Sequence, residues 1–172
     1  MEWGGAARDT TPLAILAPLA LGLVGALAMV APFRFFEGVA PTPLIPLMVV
    51  YFWTLYEPTA APAASVFAIG WGQDLITGAP HGLWALTYLL VYGAVLSQRQ
   101  FLVGRSFAAT WTGFIAAAVL GGAVAWLGVS IVSGARVAGG DLALQLGVSA
   151  LVYPVFARGF AYLQTRLAED AR

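Results

Sequence analysis

The sequence predicts an all-α membrane protein in which six transmembrane helices form one compact bundle, a single polytopic domain over residues 1–172. Three observations carry this prediction. Of the 172 residues 60% are hydrophobic and only 9% are charged, about a third of the charged share of an ordinary soluble domain. Six long apolar runs, punctuated by proline, glycine and charge, fill the chain from end to end. No stretch between them is large enough to hold a separate soluble core. Lipid offers the backbone no hydrogen-bonding partner, and the runs are too long and uninterrupted for barrel strands, so each is expected to be a helix.

The first span covers about 12–33. Arg8, the apolar run and Ala26-Leu27-Ala28 superficially resemble a secretory signal with its small-residue cleavage site. The run from Pro12 to Phe33 exceeds the apolar core of such a signal and approaches the roughly 20 residues that cross a bilayer, so a span is expected instead. The second span, about 42–57, is short and ends at Glu57 beside Trp53 and Tyr56, a grouping that reads as an interfacial anchor with a solvated carboxylate. The third, about 59–77, follows Pro58, a residue suited to a first helical turn. The fourth, about 82–98, is also short, and both short spans are expected to tilt little or to be covered by neighbours. The fifth covers about 106–132 and the sixth about 142–164. Pro18, Pro46 and Pro154 fall inside spans, where each removes an intrahelical hydrogen bond and tends to kink the helix. Trp71, Trp84, Trp111 and Trp126 read as belt or packing residues.

Three spans carry small residues at every fourth position: Ala14, Pro18, Gly22 and Ala26 in the first, Ala60, Ala64, Ala68 and Gly72 in the third, and Gly113, Ala117, Gly121 and Ala125 in the fifth. Such stripes let helix backbones approach closely where lipid supplies no hydrophobic drive. An even number of spans returns both termini to one side. Arg8, Arg99, Arg105, Arg158, Arg166 and Arg172 then share a face and Arg34 and Arg136 the other, which predicts cytoplasmic termini. Arg158 falls slightly inside the membrane, where its long side chain is expected to snorkel to the headgroups.

The function classes narrow by chemistry. There is no cysteine, so no disulfide, thiolate nucleophile or thiolate metal site. Paired intramembrane aspartates, a His-Glu-x-x-His helix and a nucleophile motif are missing, a single histidine builds no zinc site with its neighbours, and no glycine-rich phosphate loop occurs. No enzymatic activity, metal or cofactor is therefore expected. The basic residues are all arginine and the formal net charge is zero, so nucleic acid is not an expected partner. Charges cluster at the span ends instead of the midplane, which demotes ion-coupled transport but leaves open capture of a small apolar molecule.

The stretch "GWGQDLITGAPHG", residues 70–82, places Asp74 and the lone His81 between two strongly apolar segments. Asp74 falls in the last turn of the third helix, where a carboxylate meets the negative end of the helix dipole at a cost of roughly 0.3–1 kcal/mol and needs compensation. Gly78 can take a left-handed cap, Pro80 prevents continuation, and Gly82 opens the next helix with His81 at the bend. Two roles follow for Asp74: bonding backbone amides of the turn, or facing a partner or groove and pairing with Arg34, Arg136 or a residue from the partner.

The run "PLIPLMVVYFWTLYEP" followed by "FAIGWGQDLITGAPHGLWALTYLLVYGAVLSQR" and, near the C-terminus, "LVYPVFARGFAYLQTRL" resembles the bacterial rod shape-determining MreD family. The resemblance rests on Pro46, Tyr51 with Trp53, and Pro58 in the second span, on Gly70, Asp74, Gly78 and Gly82 in a Gly-x-x-x-Asp-x-x-x-Gly-x-x-x-Gly pattern, and on Tyr153-Pro154 late in the chain. The arginine or asparagine that often borders the proline of the second helix is replaced here by Ile45 and Leu47. The resemblance implies an inner-membrane component of the cell-elongation complex. MreC would be its direct partner, and MreB, the RodA glycosyltransferase and a class B penicillin-binding protein would belong to the wider assembly, with a homo-dimer as a further expectation. The implied fold is similar to the substrate-binding subunits of energy-coupling-factor vitamin transporters, which also supplies the alternative function, a substrate-capture membrane subunit.

Overall fold

The computed structural model describes residues 12–30, 34–35, 38–39, 42–134 and 139–170. Among them the chain forms six helices: α1 (Pro12–Val30), α2 (Ile45–Tyr56), α3 (Ala63–Thr77), α4 (Leu83–Leu102), α5 (Phe107–Ser133) and α6 (Gly140–Asp170). Between α1 and α2 lies a minimal antiparallel pairing of β1 (Arg34–Phe35) with β2 (Gly38–Val39). Of the arginines used for orientation, Arg8, Arg136 and Arg172 and the side chain of Arg34 fall outside the described residues, as does the side chain of Ala14.

α2 is the axis of the fold. All residues from Pro46 to Leu55 are buried, and α1, α3, α4, α5 and α6 each touch it while packing α1 on α3, α3 on α4, α4 on α5 and α5 on α6. At 12 residues it is about 18 Å long, well short of the ~30 Å of a bilayer core. Its buried residues reach to within one position of either end, so the backbone groups at both ends need partners from neighbouring helices. At the start, the Leu44 amide donates to Ser149 Oγ at 2.9 Å, and the Gln145 amide nitrogen donates to the Thr42 carbonyl at 2.9 Å. At the finish, Arg99 Nε donates to the Leu55 carbonyl at 2.7 Å. Side chains of α6 and α4 thus close the two ends of the central helix.

The proline positions shift the expected boundaries. Pro46 lies in the first turn of α2, where no intrahelical donor is lost, so it starts this helix and does not kink it. Pro58 does not open α3. Glu57 is the C-cap of α2, its amide on the Trp53 carbonyl, and Pro58 directly after it ends that helix; α3 starts only after Pro62, its extended N-cap. α4 and α6 run past their expected ends to Leu102 and Asp170, because polar helix formers such as Gln98 and Gln100 end an apolar run without ending a helix. Trp53 is not an interfacial anchor. It is 2% exposed, its ring 5.1 Å from Phe160, since the end of α2 is wrapped by α6.

The small-residue stripes differ in what they meet. A Cβ on Gly22 would lie 2.7 Å from Ile69 of α3, and one on Gly25 2.7 Å from Ile45 of α2. Ala117, Gly121 and Ala125 are buried, and Gly121 faces Val91 and Thr87 of α4 and Leu47 of α2. The α3 stripe is not one continuous packing face: Ala64 and Ala68 are exposed, Ala60 precedes the helix, and Gly72 meets Leu23 of α1, while the close approach to α4 is made by Gly70. The outward residues of α5 and α6, among them Val119, Leu127, Ile131, Leu151 and Val155, are apolar and exposed. These two helices, Phe107–Ser133 and Gly140–Leu163, are long and apolar enough to cross a membrane.

Candidate functional site

Asp74 belongs to the last turn of α3 and is 1% exposed. Its carbonyl ends α3 by accepting from the amide of Gly78, which takes the left-handed conformation at φ 67°, and from Ala79 at 3.2 Å. Its carboxylate begins α4: Oδ2 accepts from the Gly82 amide at 2.9 Å and Oδ1 from the Trp84 amide at 3.0 Å. Gly82 is the N-cap of α4, left-handed at φ 89°, and lacks a side chain to accept the free amides of the first turn. Asp74 supplies that cap from the preceding helix. The compensation for a negative charge at the end of α3 is thus the positive end of the α4 dipole together with two charge-assisted hydrogen bonds.

Gly70 sets the spacing that makes this cap reach. One turn before Asp74, its missing Cβ would lie 2.5 Å from Ala85 Cα and 2.6 Å from the Ala85 amide nitrogen. Those are backbone atoms that cannot give way, so only glycine allows α3 and α4 this close. Deeper in the pair, Tyr88 donates its hydroxyl proton to Gln73 Oε1. Both residues are fully buried, and Gln73 Nε2 has no hydrogen-bond partner among the described residues. His81 takes no part in the cap. It is exposed at the turn, with its ring 6.1 Å from Trp71.

The other candidate residues do not join this cluster. Pro46 lies at the same end of the bundle but packs against α1, close to Gly25. Glu57 and Pro58 lie at the opposite end, where Glu57 Oε1 accepts from the Thr59 hydroxyl at 2.9 Å. Tyr153 is in the core, stacked on Phe114 with centroids 4.1 Å apart, and Pro154 follows it inside α6. Gly113 meets the hydroxyl of Tyr51, which donates to the Thr110 carbonyl at 2.8 Å. Among the described residues no three His, Asp or Glu side chains gather as metal ligands do.

Sequence reasoning assigns no structural role to Gln73, Gln145 or Ser149, and reads Arg99 only as an orienting charge and Trp111 only as a belt or packing residue, yet all five hold helix ends or pair inside the core. A usable signal existed for three of them: Gln73, Gln145 and Ser149 are polar residues within apolar helices, where an amide or hydroxyl needs a partner.

A family model described as rod shape-determining protein MreD matches residues 10–136, which take in α1 to α5 and the whole α3–α4 turn. No curated protein and no solved structure matches the chain.

Proposed function

The chain belongs to the MreD family of rod shape-determining proteins, and from that membership we propose that it is a non-enzymatic scaffold of the cell-elongation complex in the bacterial inner membrane. It crosses the membrane six times as one domain over residues 1–172, with both termini cytoplasmic and a fold similar to the substrate-binding subunits of energy-coupling-factor transporters. Arg99, Arg105, Arg158 and Arg166, all toward one end of the bundle, support this orientation. MreC binds it directly, and MreB, RodA and a class B penicillin-binding protein belong to the assembly it organises around lateral peptidoglycan synthesis.

The observation that carries the scaffold reading is the use made of Asp74. Both its oxygens are taken by backbone amides, which suits a rigid turn and leaves no free carboxylate for proton transfer or for gripping a substrate. A substrate-capture subunit needs several free polar groups converging near the outer face. The surface offered to a partner is then the outer turn itself, with His81 and Trp71 exposed on it, while Asp74, Gly70, Gly78 and Gly82 set its shape.

The test is co-purification of the full-length chain with MreC from membranes, with native mass spectrometry on the product. A stoichiometric complex without a bound small molecule supports the scaffold. A chain that leaves MreC behind and carries a stoichiometric small metabolite means a capture subunit instead.

A further inference from the structure

At the end of the bundle opposite the Asp74 turn, α2, α5 and α6 leave a cleft of about 300 Å³. Phe52, Tyr56, Phe107 and Ala157 make its walls apolar, and Arg158 stands in it as an exposed guanidinium that forms no ion pair with any described carboxylate. Phe107 is the first residue of α5, whose N-cap Ser106 makes no side-chain capping bond. The first-turn amides and the positive end of a 27-residue helix therefore open beside the cleft without a capping side chain. A second, independent feature is Tyr153. It lines the same cleft, is fully buried, and its hydroxyl has no hydrogen-bond partner among the described residues, whereas the neighbouring Tyr51 hydroxyl is already engaged with Thr110.

A buried hydroxyl without a partner beside a cation and a helix N-terminus is a set of donors awaiting acceptors, and the apolar walls call for hydrocarbon. We propose that this cleft holds one anionic phospholipid of the inner leaflet, its phosphate taken by Arg158 and the α5 N-terminus, one acyl chain lying along Phe52, Phe107 and Ala157, and the Tyr153 hydroxyl donating to an ester carbonyl. Aromatic and alanine walls distinguish this from a site for free phosphate, which would leave them wet. The proposal rests on the six-span reading, but on no protein partner, so loss of MreC binding leaves it standing.

The test exchanges the full-length chain into mixed micelles of phosphatidylglycerol and phosphatidylcholine with the same acyl chains, and reads retained lipid by native mass spectrometry. Wild type should retain phosphatidylglycerol over phosphatidylcholine by about tenfold, because both offer a phosphate to Arg158 but only choline adds a quaternary ammonium, which the guanidinium and the positive end of α5 repel. Arg158→Gln should abolish that preference, Arg158→Lys should keep most of it, and Arg166→Gln, two turns further along α6, should leave it intact. Equal retention of the two lipids by wild type, or an unchanged preference in Arg158→Gln, overturns the proposal whatever the variants do to stability. Displacement of the lipid by excess inorganic phosphate overturns it in favour of a phosphate site.

Discussion

The indole Nε1 of Trp111 donates a hydrogen bond of 2.8 Å to the carbonyl of Ala150, four residues before Pro154 in α6. That oxygen is the one whose helical donor would be the amide of residue 154, and proline has none. An indole from α5 thus repairs the break that Pro154 makes in α6, as apolar surroundings require. Trp111→Phe should destabilise the protein by about 0.5–2 kcal/mol. In a Pro154→Ala background, which restores the helical donor, the same change should cost clearly less. Thermal unfolding of the four proteins in one detergent gives the coupling, and additive effects would mean that Trp111 acts by packing alone.

Asp74→Asn keeps the size and one acceptor oxygen but removes the charge and turns one acceptor into a donor facing an amide. The loss should be about 1–3 kcal/mol, with the hairpin still formed and MreC still bound, because the proposed surface is the turn and not the carboxylate. Asp74→Leu removes both caps and should fail to accumulate. An Asn variant of unchanged stability that nevertheless loses MreC would reverse this assignment and make the charge itself the contact.

Gly70→Ala places a methyl against backbone atoms of Ala85, so α3 and α4 must separate and the Asp74 cap must stretch. A loss of about 1–3 kcal/mol is expected. Gly93→Ala, in the exposed face of α4 where a Cβ meets nothing within 4 Å, should be neutral or stabilising by up to about 1 kcal/mol from helix propensity. Equal melting temperatures for the two variants would refute the close approach.

Gly121→Leu should disrupt packing far more than Leu120→Ala. Gly121 is buried against Val91, Thr87 and Leu47, whereas Leu120 is 38% exposed. Only the first change inserts bulk at an interhelical contact. Tolerance of both, read as yield of monodisperse protein, would place the α5 stripe outside the interface.

How much of this was legible follows from what a sequence encodes locally. The α3–α4 turn was readable because its elements are local: Gly78 as a left-handed cap, Pro80 as a stop, Asp74 in need of a compensating partner. The central position of α2 was only half visible. Its shortness suggests cover by neighbours, but the roles expected of Pro46, Trp53 and Pro58 suit a span closed by solvent, whereas Ser149, Gln145 and Arg99 from other helices close the ends of this one. The repairs at Ala150, Leu55 and Leu44 join residues 39, 44 and 105 positions apart, and no local period announces them. Likewise, the even spacing of Ala60, Ala64, Ala68 and Gly72 does not reveal which of them are packed: Gly72 meets α1, Ala64 and Ala68 are exposed, and Gly70, outside that stripe, makes the contact with α4.

Orientation is the last expectation to check, and the chain lends itself to the experiment because it contains no cysteine. Directions alternate between consecutive helices: Gly22 meets Ile69 and Leu23 meets Gly72, so α1 and α3 run parallel, while Gly121 opposite Val91 and Gly113 opposite Leu102 have α4 and α5 running antiparallel. Ser106, before α5, and Gly140, at the start of α6, are exposed and lie at opposite ends of the bundle. With Arg99, Arg105, Arg158 and Arg166 toward the Ser106 end, the positive-inside rule puts that end in the cytoplasm. Ser106→Cys should therefore react with an impermeant maleimide only after the membrane is opened, and Gly140→Cys in intact spheroplasts. The reverse pattern would invert the protein, moving the Asp74 turn to the cytoplasmic side and the Arg158 cleft to the outer leaflet. Labelling of both positions in intact spheroplasts would mean that α5 does not cross the membrane and that the six-span reading is wrong.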